Sequence, residues 1–576
     1  MKVKLEGEMA KKDYSNFNKE ELIEEIKKLE KRKKYGLVWE DKPEKVVEMC
    51  KEKLPILEED RIREIIADTE KPFNILIEGD NYHALSVLNY THNKKIDAIY
   101  IDPPYNTGAS DWKYNNKYVN ADDAYRHSKW LNFIKNRLTL CKDILKEDGI
   151  ICVTIDDYEL PRLWLLLDDI FGAENFLGNV VIRNNPSGRK TKRKVAQVHE
   201  YALFFGKSQN SFIKNISIEM DKKSHVYKKD KNGKWYSPTN LRKQGVDSQA
   251  LKPDGSFRDR WYPIYYDPKT GKLTTKLELP IKIWPIDAKG EKRIWRRSTD
   301  IIDKMYQEGD LWCQETKYGY QVYFKFYGGV EGEPPKSIWY DSKFSASEHG
   351  TNILNEILGK REMFPFPKSI FAVEECIKVM TNNKNAIILD FFAGSGTTAQ
   401  AVLELNKLDG GDRKFILCTN NENNIMTEVC YPRIKKVIQK LEKEQQGKLI
   451  KDMPGNLKFF KTNFVDAEPT DRNKEAMVKK STEMLCLKEE CFDELKNGNN
   501  FKIFTDNKDK LLGIVYNDSG IEPIKKEITK FNKKFIVYVF SLDDSAREEE
   551  FEDVKDLVEL KPIPAVILNV YRRIFK

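Results

Sequence analysis

The sequence predicts an α/β protein whose central parallel sheet is built from two separate stretches of the chain. Between residues 73 and 155, apolar runs of strand length alternate with amphipathic helical segments, as in FNILIEG, IDAIYID and GIICVTID. A second alternation begins at residue 385 with AIILDFFAGSGTTAQAVLELNKL and continues into KFILCTN. Such alternation is typical of a parallel sheet covered by helices. We therefore expect one sheet that is interrupted by an insertion and then completed.

Length and composition indicate a folded, multidomain protein. The chain has 576 residues, more than one hydrophobic core accommodates, and 40% of them are hydrophobic and 33% charged. The nine cysteines form no C-x-x-C pair, which argues against a zinc site or a disulfide framework. No signal-peptide core is evident, and no apolar run approaches the ~20 residues of a membrane span. We expect a cytoplasmic protein with no membrane segment and no bound metal.

Changes in composition divide the chain into five predicted segments. A charged helix at 19–34 opens the first, and the stretch after residue 206 is rich in Lys, Trp, Tyr, Gly and Pro with weak periodicity. The last segment has short strands of its own, including FKIFTD and FIVYVFSL. The segments are an N-terminal helical arm (1–70), the first half of the sheet domain (71–205), an inserted domain (206–360), the second half (361–450) and a C-terminal α/β module (456–576).

The loop DFFAGSGTT, residues 390–398, lies between a predicted strand and a helix and is a candidate cofactor site. Its glycines let the backbone turn sharply and approach a ligand, and the helix N-terminus offers free amide groups. Glu422, beyond the next strand, is placed to hold a ribose. The loop alone also matches the dinucleotide fingerprint of a dehydrogenase, so two cofactor classes stay open. The candidate cofactor-binding residues of the loop are Asp390, Phe392, Ala393, Gly394, Ser395, Gly396 and Thr397.

The tetrapeptide Asp102-Pro103-Pro104-Tyr105 follows the apolar strand IDAIYI directly, at the edge where open α/β sheets bind ligands. An aromatic exocyclic amine is a poor nucleophile because its lone pair is delocalised, and two acceptors for its hydrogens favour a more reactive, tetrahedral nitrogen. The Asp102 carboxylate and the Pro103 carbonyl are suited to this, and the prolines hold the backbone rigid. The Tyr105 ring offers stacking worth roughly 1–3 kcal/mol per base. These four residues form the predicted catalytic site, for which a dehydrogenase has no use.

With the tetrapeptide placed before the glycine loop, the sequence resembles the beta group of DNA amino-methyltransferases. Further segments resemble the modification subunit of type III restriction-modification systems, among them LIEGDNYHAL (76–85), HEYALFFGK (199–207) and HGTNILNEILG (349–359). The resemblance implies a Rossmann-like sheet that binds S-adenosyl-L-methionine. It also implies methyl transfer to the N6 amine of an adenine flipped out of double-stranded DNA, by a protein that forms a homodimer.

The resemblance also implies roles for single residues. Asp80 resembles the family acid that contacts the cofactor adenine, although a helix-capping role stays open. Lys368 in FPFPKS resembles the lysine near the methionine carboxylate of the cofactor, with Ser369 in place of the family's second proline. Tyr201 matches an aromatic residue that, together with Tyr105, lines the pocket of the target base.

An enzyme that flips a base must hold the duplex around the gap, which requires a basic surface. Two basic runs are candidates, and they favour a target-recognition role for the insertion. The predicted DNA-binding residues are Arg189, Lys190, Lys192, Arg193 and Lys194 before the insertion, and Lys292, Arg293, Arg296 and Arg297 within it. The sequence contains no G-x-x-x-x-G-K-[ST] loop, so restriction of DNA would require a separate ATP-dependent subunit.

Three alternatives stay open at this point. A dehydrogenase shares the glycine loop, the N4 amine of cytosine fits the same two acceptors, and a catalytically inactive DNA-recognition subunit would keep the fold. In the family that the sequence resembles, an aspartate at the position of Asp102 goes mainly with adenine. The presence of both intact motifs favours activity.

Overall fold

The computed structural model describes residues 39–68, 71–115, 117–188, 195–216, 228–233, 235–327, 333–445, 455–543 and 545–575. The chain forms two compact units, one made of residues 213–336 and one made of the residues on both sides of them. The smaller unit lies within the inserted domain predicted at 206–360, and its limits are narrower. The predicted helix at 19–34 lies outside the described residues.

The first part of the larger unit alternates helices and strands. In chain order its elements are α1 (Lys45–Met49), β1 (Lys53–Glu59), β2 (Phe73–Glu78), α2 (Asn81–Thr91), β3 (Ile96–Ile101), β4 (Ala109–Tyr114), β5 (Lys117–Asn120), α3 (Arg126–Ile144), β6 (Leu145–Ile155), α4 (Leu160–Phe171), β7 (Phe176–Ile182) and β8 (Glu200–Gly206).

The smaller unit consists mainly of short antiparallel strands. Its elements are β9 (Lys228–Lys229), β10 (Trp235–Asn240), β11 (Ile264–Tyr266), β12 (Leu273–Thr274), β13 (Ile281–Ile283), α5 (Thr299–Gln307), β14 (Leu311–Thr316) and β15 (Gly319–Phe326). They form two sheets, β14-β15-β10-β9 and β12-β11-β13. Leu241, Ile264, Trp295 and Phe324 are among the buried residues of a core that this unit has to itself.

The larger unit resumes after residue 336. Its remaining elements are β16 (Ile338–Trp339), α6 (Asn352–Leu358), α7 (Ile370–Met380), β17 (Ile387–Asp390), α8 (Thr397–Asp409), β18 (Lys414–Thr419), α9 (Tyr431–Gln445), β19 (Asn456–Asp466), α10 (Asp471–Lys480), α11 (Thr482–Glu489), β20 (Asp493–Asn497), β21 (Phe501–Thr505), β22 (Leu511–Val515), α12 (Ile521–Phe531), β23 (Phe535–Phe540), β24 (Val558–Ile563) and α13 (Ala565–Ile574).

A ten-stranded sheet runs through the larger unit in the order β1-β19-β2-β18-β17-β3-β6-β8-β7-β16. From β19 to β6 neighbouring strands are parallel, whereas β8 is antiparallel to both β6 and β7. Strands β17 and β18, from the second half of the sheet domain, lie between β2 and β3 from the first half. The predicted α/β class, with one sheet built from two stretches of sequence, is confirmed.

This interleaving brings the two sequence motifs together. Leu389 in β17 pairs with Ile99 in the parallel strand β3, so both strands end at the same edge of the sheet. Asp390 is the last residue of β17, and Asp102 directly follows β3. The glycine loop and the tetrapeptide therefore start side by side, at the carboxyl edge where open α/β sheets bind ligands.

The two terminal segments differ from their predicted outlines, because each supplies a strand to the large sheet. β1 belongs to the predicted arm and pairs with β19, which opens the predicted C-terminal module. The module's own five-stranded sheet, β20 to β24, begins at Asp493. Periodicity identifies a strand but not its partner, so the sequence alone did not assign these two. In the described ranges, no helix is both long and apolar enough to cross a bilayer.

Candidate active site

Asp102 stands at the end of β3 with its carboxylate already engaged. The Thr154 hydroxyl, from β6, donates to its Oδ1 at 2.7 Å, and the Lys368 ammonium lies 3.0 Å from the same atom. The Asp102 side chain nevertheless remains 27% exposed. The carboxylate is thus fixed in direction but open to a further hydrogen-bond donor.

The backbone of the tetrapeptide is held from the side of helix α3. The Trp130 indole donates to the Pro104 carbonyl at 2.7 Å. Asn106, the residue that follows the tetrapeptide, has a φ of 56°. Its fully buried side-chain amide donates to Glu159 and accepts from the Trp112 indole. No group of the described residues donates to the Pro103 carbonyl. This carbonyl therefore keeps its capacity to accept a hydrogen from a ligand, on a backbone that two successive prolines restrict.

Lys368 enters the site from the residues just before α7. Its ammonium lies between Asp102 and Glu200, 2.5 Å from the latter, donates to the Tyr105 hydroxyl and lies 4.6 Å from the centre of the Tyr105 ring. Burial alone would lower the pKa of Lys368, but the two carboxylates hold it above its usual value. The structure thus brings Lys368 to the tetrapeptide, and its predicted contact with the cofactor carboxylate stays a prediction.

Gly350 makes this approach possible. A Cβ on Gly350 would lie 2.3 Å from the Pro367 carbonyl oxygen and 2.9 Å from that of Lys368. Only a residue without a side chain lets the segment that carries Lys368 pass so close. This gives a physical reason for the first glycine of the HGTNILNEILG segment, Gly350.

Glu200 is a site residue that the sequence analysis missed. It is 2% exposed, and its Oε2 accepts hydrogen bonds from the Tyr105 hydroxyl at 3.0 Å and from the Asn184 amide at 2.7 Å. Burial and the nearby carboxylates of Asp102 and Glu200 raise the pKa of Tyr105, so its hydroxyl stays a donor. The available signal was an acid at the start of a strand otherwise made of apolar residues.

Tyr201, the predicted wall of the base pocket, follows Glu200 in β8. Successive side chains of a strand point to opposite faces, and the Tyr201 hydroxyl donates to Asp157 at 2.9 Å. Glu200, and not Tyr201, is therefore the residue of this segment that bonds Tyr105. A role of Tyr201 in the pocket stays a prediction.

The glycine loop turns as its sequence suggests. Gly394 and Gly396 have φ values of 49° and 77°, in the left-handed region that favours glycine. The buried carboxylate of Asp390 accepts from the Phe392 amide at 2.9 Å and from the Thr398 hydroxyl at 2.6 Å, so it shapes the loop from within. Burial raises the pKa of Asp390 to about 7, with a contribution from Asp102 and against the effect of these hydrogen bonds.

Arg433, which the sequence analysis also missed, supports the loop from α9. Its fully buried guanidinium donates to the hydroxyls of Ser395 at 3.0 Å and Thr397 at 2.8 Å, and to the Gln400 side chain at 3.0 Å. Burial lowers the pKa of Arg433 to about 10. Nη2 has no hydrogen-bond partner among the described residues. A buried cation thus fixes the two hydroxyl residues that flank Gly396.

Asp80 has the capping role that the sequence left open, and it remains accessible. Its carboxylate accepts from the Tyr82 amide at 2.8 Å at the start of α2 and pairs with Arg137 at 3.2 Å. The side chain is still 32% exposed. The next residue, Asn81, donates to the Phe391 carbonyl at 2.8 Å and so ties the start of α2 to the glycine loop. Capping and ligand contact are compatible here.

The predicted ribose contact, Glu422, and some of the predicted DNA-binding residues already have partners within the protein. Glu422 pairs through Oε1 with Lys113 at 2.6 Å, and the same oxygen accepts from the Tyr118 hydroxyl at 3.1 Å, so its contact with a ribose stays a prediction. In the smaller unit, Arg293 pairs with Asp287 at 2.8 Å, whereas Lys292 and Arg297 are exposed. The predicted run from Arg189 to Lys194 lies outside the described residues.

A tetrapeptide of this kind beside a glycine loop, at the carboxyl edge of a mainly parallel sheet, is the arrangement expected of an α/β methyltransferase. The model of the DNA methylase family matches residues 96–430, and the chain belongs to this family. It is therefore a DNA methyltransferase.

Curated relatives agree with this assignment. The type II methyltransferase M.KpnI of Klebsiella pneumoniae is 38% identical over 356 residues, which cover 61% of this chain and 82% of the relative. The EcoPI Mod subunit of Escherichia phage P1, from a type III restriction-modification enzyme, is 30% identical over 443 residues, 70% of this chain and 67% of the relative. The StyLTI Mod subunit of Salmonella typhimurium is 27% identical and matches over 57% of its length.

Proposed function

We propose that this chain transfers the methyl group of S-adenosyl-L-methionine to the N6 amine of an adenine flipped out of double-stranded DNA. The observation that carries the proposal is the pairing of two acceptors, the Asp102 carboxylate and the Pro103 carbonyl, at the end of β3. The neighbouring strand, β17, leads directly into the glycine loop. Target amine and methyl donor would therefore meet at one edge of the sheet.

The residues at this edge fit an adenosyl cofactor, which supplies an electrophilic methyl group when bound. The partly exposed Asp80 carboxylate can accept a hydrogen from the adenine amine of the cofactor. A Cβ on Gly394 would lie 3.1 Å from the Phe364 ring, closer than side chains normally pack, so the glycine keeps this side of the loop free of a side chain. Arg433 and Asp390 hold the loop in this shape from beneath.

In the proposed reaction, Asp102 and the Pro103 carbonyl accept the two hydrogens of the adenine amine. This would draw the nitrogen lone pair out of the ring and make the amine reactive towards the methyl group that a bound cofactor would supply, with the sulfur of the cofactor as the leaving group. Asp102 is placed to take the proton that the methylated nitrogen loses. Tyr105, with its hydroxyl bonded to Glu200 and Lys368, offers its ring to the flipped base.

Methylation of the N4 amine of cytosine is the second candidate, because the same acceptors fit it. Adenine is favoured by the aspartate at the first position of the tetrapeptide. The likeness to type III Mod subunits supports a place in a restriction-modification system. We propose a homodimer as the assembly and a separate ATP-dependent restriction subunit as its partner.

The test uses the purified full chain, mixed-sequence duplex DNA and S-adenosyl-L-methionine with a deuterated methyl group. Mass spectrometry of the nucleosides is expected to show deuterated N6-methyldeoxyadenosine, and none with Asp102→Ala. Deuterated N4-methyldeoxycytidine would support the second candidate. The absence of any deuterated nucleoside would contradict both.

A further inference from the structure

The smaller unit carries a column of stacked aromatic rings that the active site does not explain. The rings of Phe257 and Trp261 have centroids 5.5 Å apart and planes at 13°, and Trp261 and Trp284 follow at 4.7 Å and 29°. Phe257, at one end of the column, is 44% exposed. The stack of three rings therefore ends at Phe257, whose side chain is partly exposed to solvent.

Phe257 belongs to a projecting hairpin. It faces Leu251 across an antiparallel bridge, and the amide of Lys252 donates to the Ser256 carbonyl at 2.8 Å to hold the turn. Residues 251 to 260 are all exposed, and Leu251 itself is 45% exposed. Two large apolar side chains thus meet water next to each other on one hairpin.

Lysines surround this column. The Lys292 ammonium lies 5.3 Å from the ring centre of Phe257 and 6.0 Å from that of Trp261, and the Lys282 ammonium lies 5.6 Å from that of Trp284. Neither lysine forms an ion pair with a carboxylate of the described residues. Aromatic rings next to unpaired cations match the chemistry of nucleic acid, which offers base faces and phosphates together.

The members of the predicted basic run at 292–297 differ in whether their charged groups are already bonded within the protein. Arg293 is paired with Asp287, and the Arg296 guanidinium donates to the Asn240 carbonyl at 3.3 Å. Lys292 instead points to the aromatic column. The column and its lysines are therefore a better phosphate and base contact than Arg293 and Arg296.

We propose that this hairpin inserts Phe257, supported by Trp261 and Trp284, between base pairs of the DNA duplex, with Lys282 and Lys292 on the adjoining phosphates. Apolar side chains that enter a base step unstack it and kink the duplex. The inference rests on the proposed function, because it takes duplex DNA as the substrate. It adds the surface by which the smaller unit engages that substrate.

The test uses the full chain and a short duplex that contains the sequence methylated in cells, with a fluorophore at each end to report bending. Phe257→Ala is expected to weaken binding roughly tenfold to a hundredfold and to abolish bending, whereas Phe257→Leu keeps an apolar wedge and most of the bend. Lys282→Gln with Lys292→Gln should reduce the log–log salt slope by about 1.8, since each phosphate contact adds about 0.9.

Tyr318→Ala is the matched control. Tyr318 is also an exposed aromatic residue of the smaller unit, 61% exposed, with the Lys317 ammonium 5.1 Å from its ring. Its loss should leave binding and bending unchanged. Thermal unfolding and cofactor affinity should match the wild type in every variant, which shows that the chain still folds.

Wild-type affinity and bending in Phe257→Ala would overturn the proposal. The proposal would also be overturned if Phe257→Ala changed the mass of the protein measured by sedimentation but left DNA binding unchanged, because the hairpin would then be a protein interface. The failure of the proposed function is distinguishable: in that case the wild type itself methylates no DNA. An active wild type with an unaffected Phe257→Ala variant refutes the wedge alone.

Discussion

The ammonium group of Lys368 lies 3.0 Å from the carboxylate of Asp102, the group that is proposed to receive the target amine. An amine that enters the site must therefore compete with Lys368 for this carboxylate. Glu200, 2.5 Å from the same ammonium, gives the lysine a second partner. Asp102 can turn to the base without leaving a buried cation unpaired, which would be costly.

Replacing Asp102 with alanine should remove methyl transfer and leave cofactor binding intact. The expected fall in rate is roughly 10²–10³-fold or more, the scale for loss of one preorganised hydrogen-bonding group in an active site. Transfer of labelled methyl to DNA measures the rate, and calorimetry measures cofactor affinity. A rate of methyl transfer within a few-fold of the wild-type rate would show that Asp102 is not a catalytic residue.

Glu200→Gln should lower kcat with little change in the KM for the cofactor, because Glu200 acts through Lys368 and Tyr105. Without this carboxylate the pKa of Lys368 should move down towards its usual value. If the protonated lysine is needed, the alkaline limb of the pH–rate profile shifts to lower pH. Unchanged kcat and an unchanged profile would show that Glu200 only supports the fold.

Gly394→Val should abolish cofactor binding. The φ of 49° strains a branched residue, and its side chain would fill the approach to the loop. Gly410→Val is the matched control: its φ is 66°, at the end of the same helix α8, and a Cβ there would have no neighbour within 4 Å. Both variants should lose stability, but only the first should lose cofactor affinity in calorimetry. Equal affinity in the two would mean that the loop does not hold the cofactor.

Arg433→Met should weaken cofactor binding by roughly tenfold without contact to the ligand. The change removes the donors that hold Ser395 and Thr397, and unmade buried hydrogen bonds cost about 1–3 kcal/mol. Arg413→Met, which breaks the ion pair with Asp409 at the other end of α8, controls for general loosening. If both variants bind the cofactor alike, Arg433 has no specific effect on the loop.

The raised pKa of Asp390 predicts a pH dependence of stability. In the folded state its pKa is about 7, against about 3.9 in an unfolded chain. The folded state thus holds a proton that the unfolded state releases, and this stabilisation, complete below about pH 4, is lost as the pH rises to 7 and above.

Asp390→Asn stays neutral and should escape this loss. Its free energy of unfolding, relative to the wild type, is expected to increase between pH 4 and pH 8 in denaturant titrations. A difference that stays constant over this range would contradict the raised pKa.

Sequence reasoning located the motifs because strand ends are a local property. Asp102 follows an apolar run and Asp390 ends another, and parallel strands present their carboxyl ends at one edge. That rule alone predicts that the tetrapeptide and the glycine loop lie near each other. The adjacent pairing of β17 with β3 then follows from the sheet order, which no local pattern specifies.

The residues that sequence reasoning missed depend on tertiary contacts. Glu200 and Tyr201 are neighbours in the chain, and only the direction of the strand decides which of them faces Tyr105. Arg433 lies on a helix beyond the next strand, and its place beneath the loop comes from helix packing. The Phe257 column joins three residues whose stacking has no periodic signature.

Sequencing of single DNA molecules from cells that express the full chain is the most direct test of adenine methylation through Asp102. We expect N6-methyladenine at one adenine of a fixed short sequence throughout the genome, and its absence in cells that express Asp102→Ala. A modified cytosine in place of adenine, or genomic DNA without any modification that depends on Asp102, would contradict it.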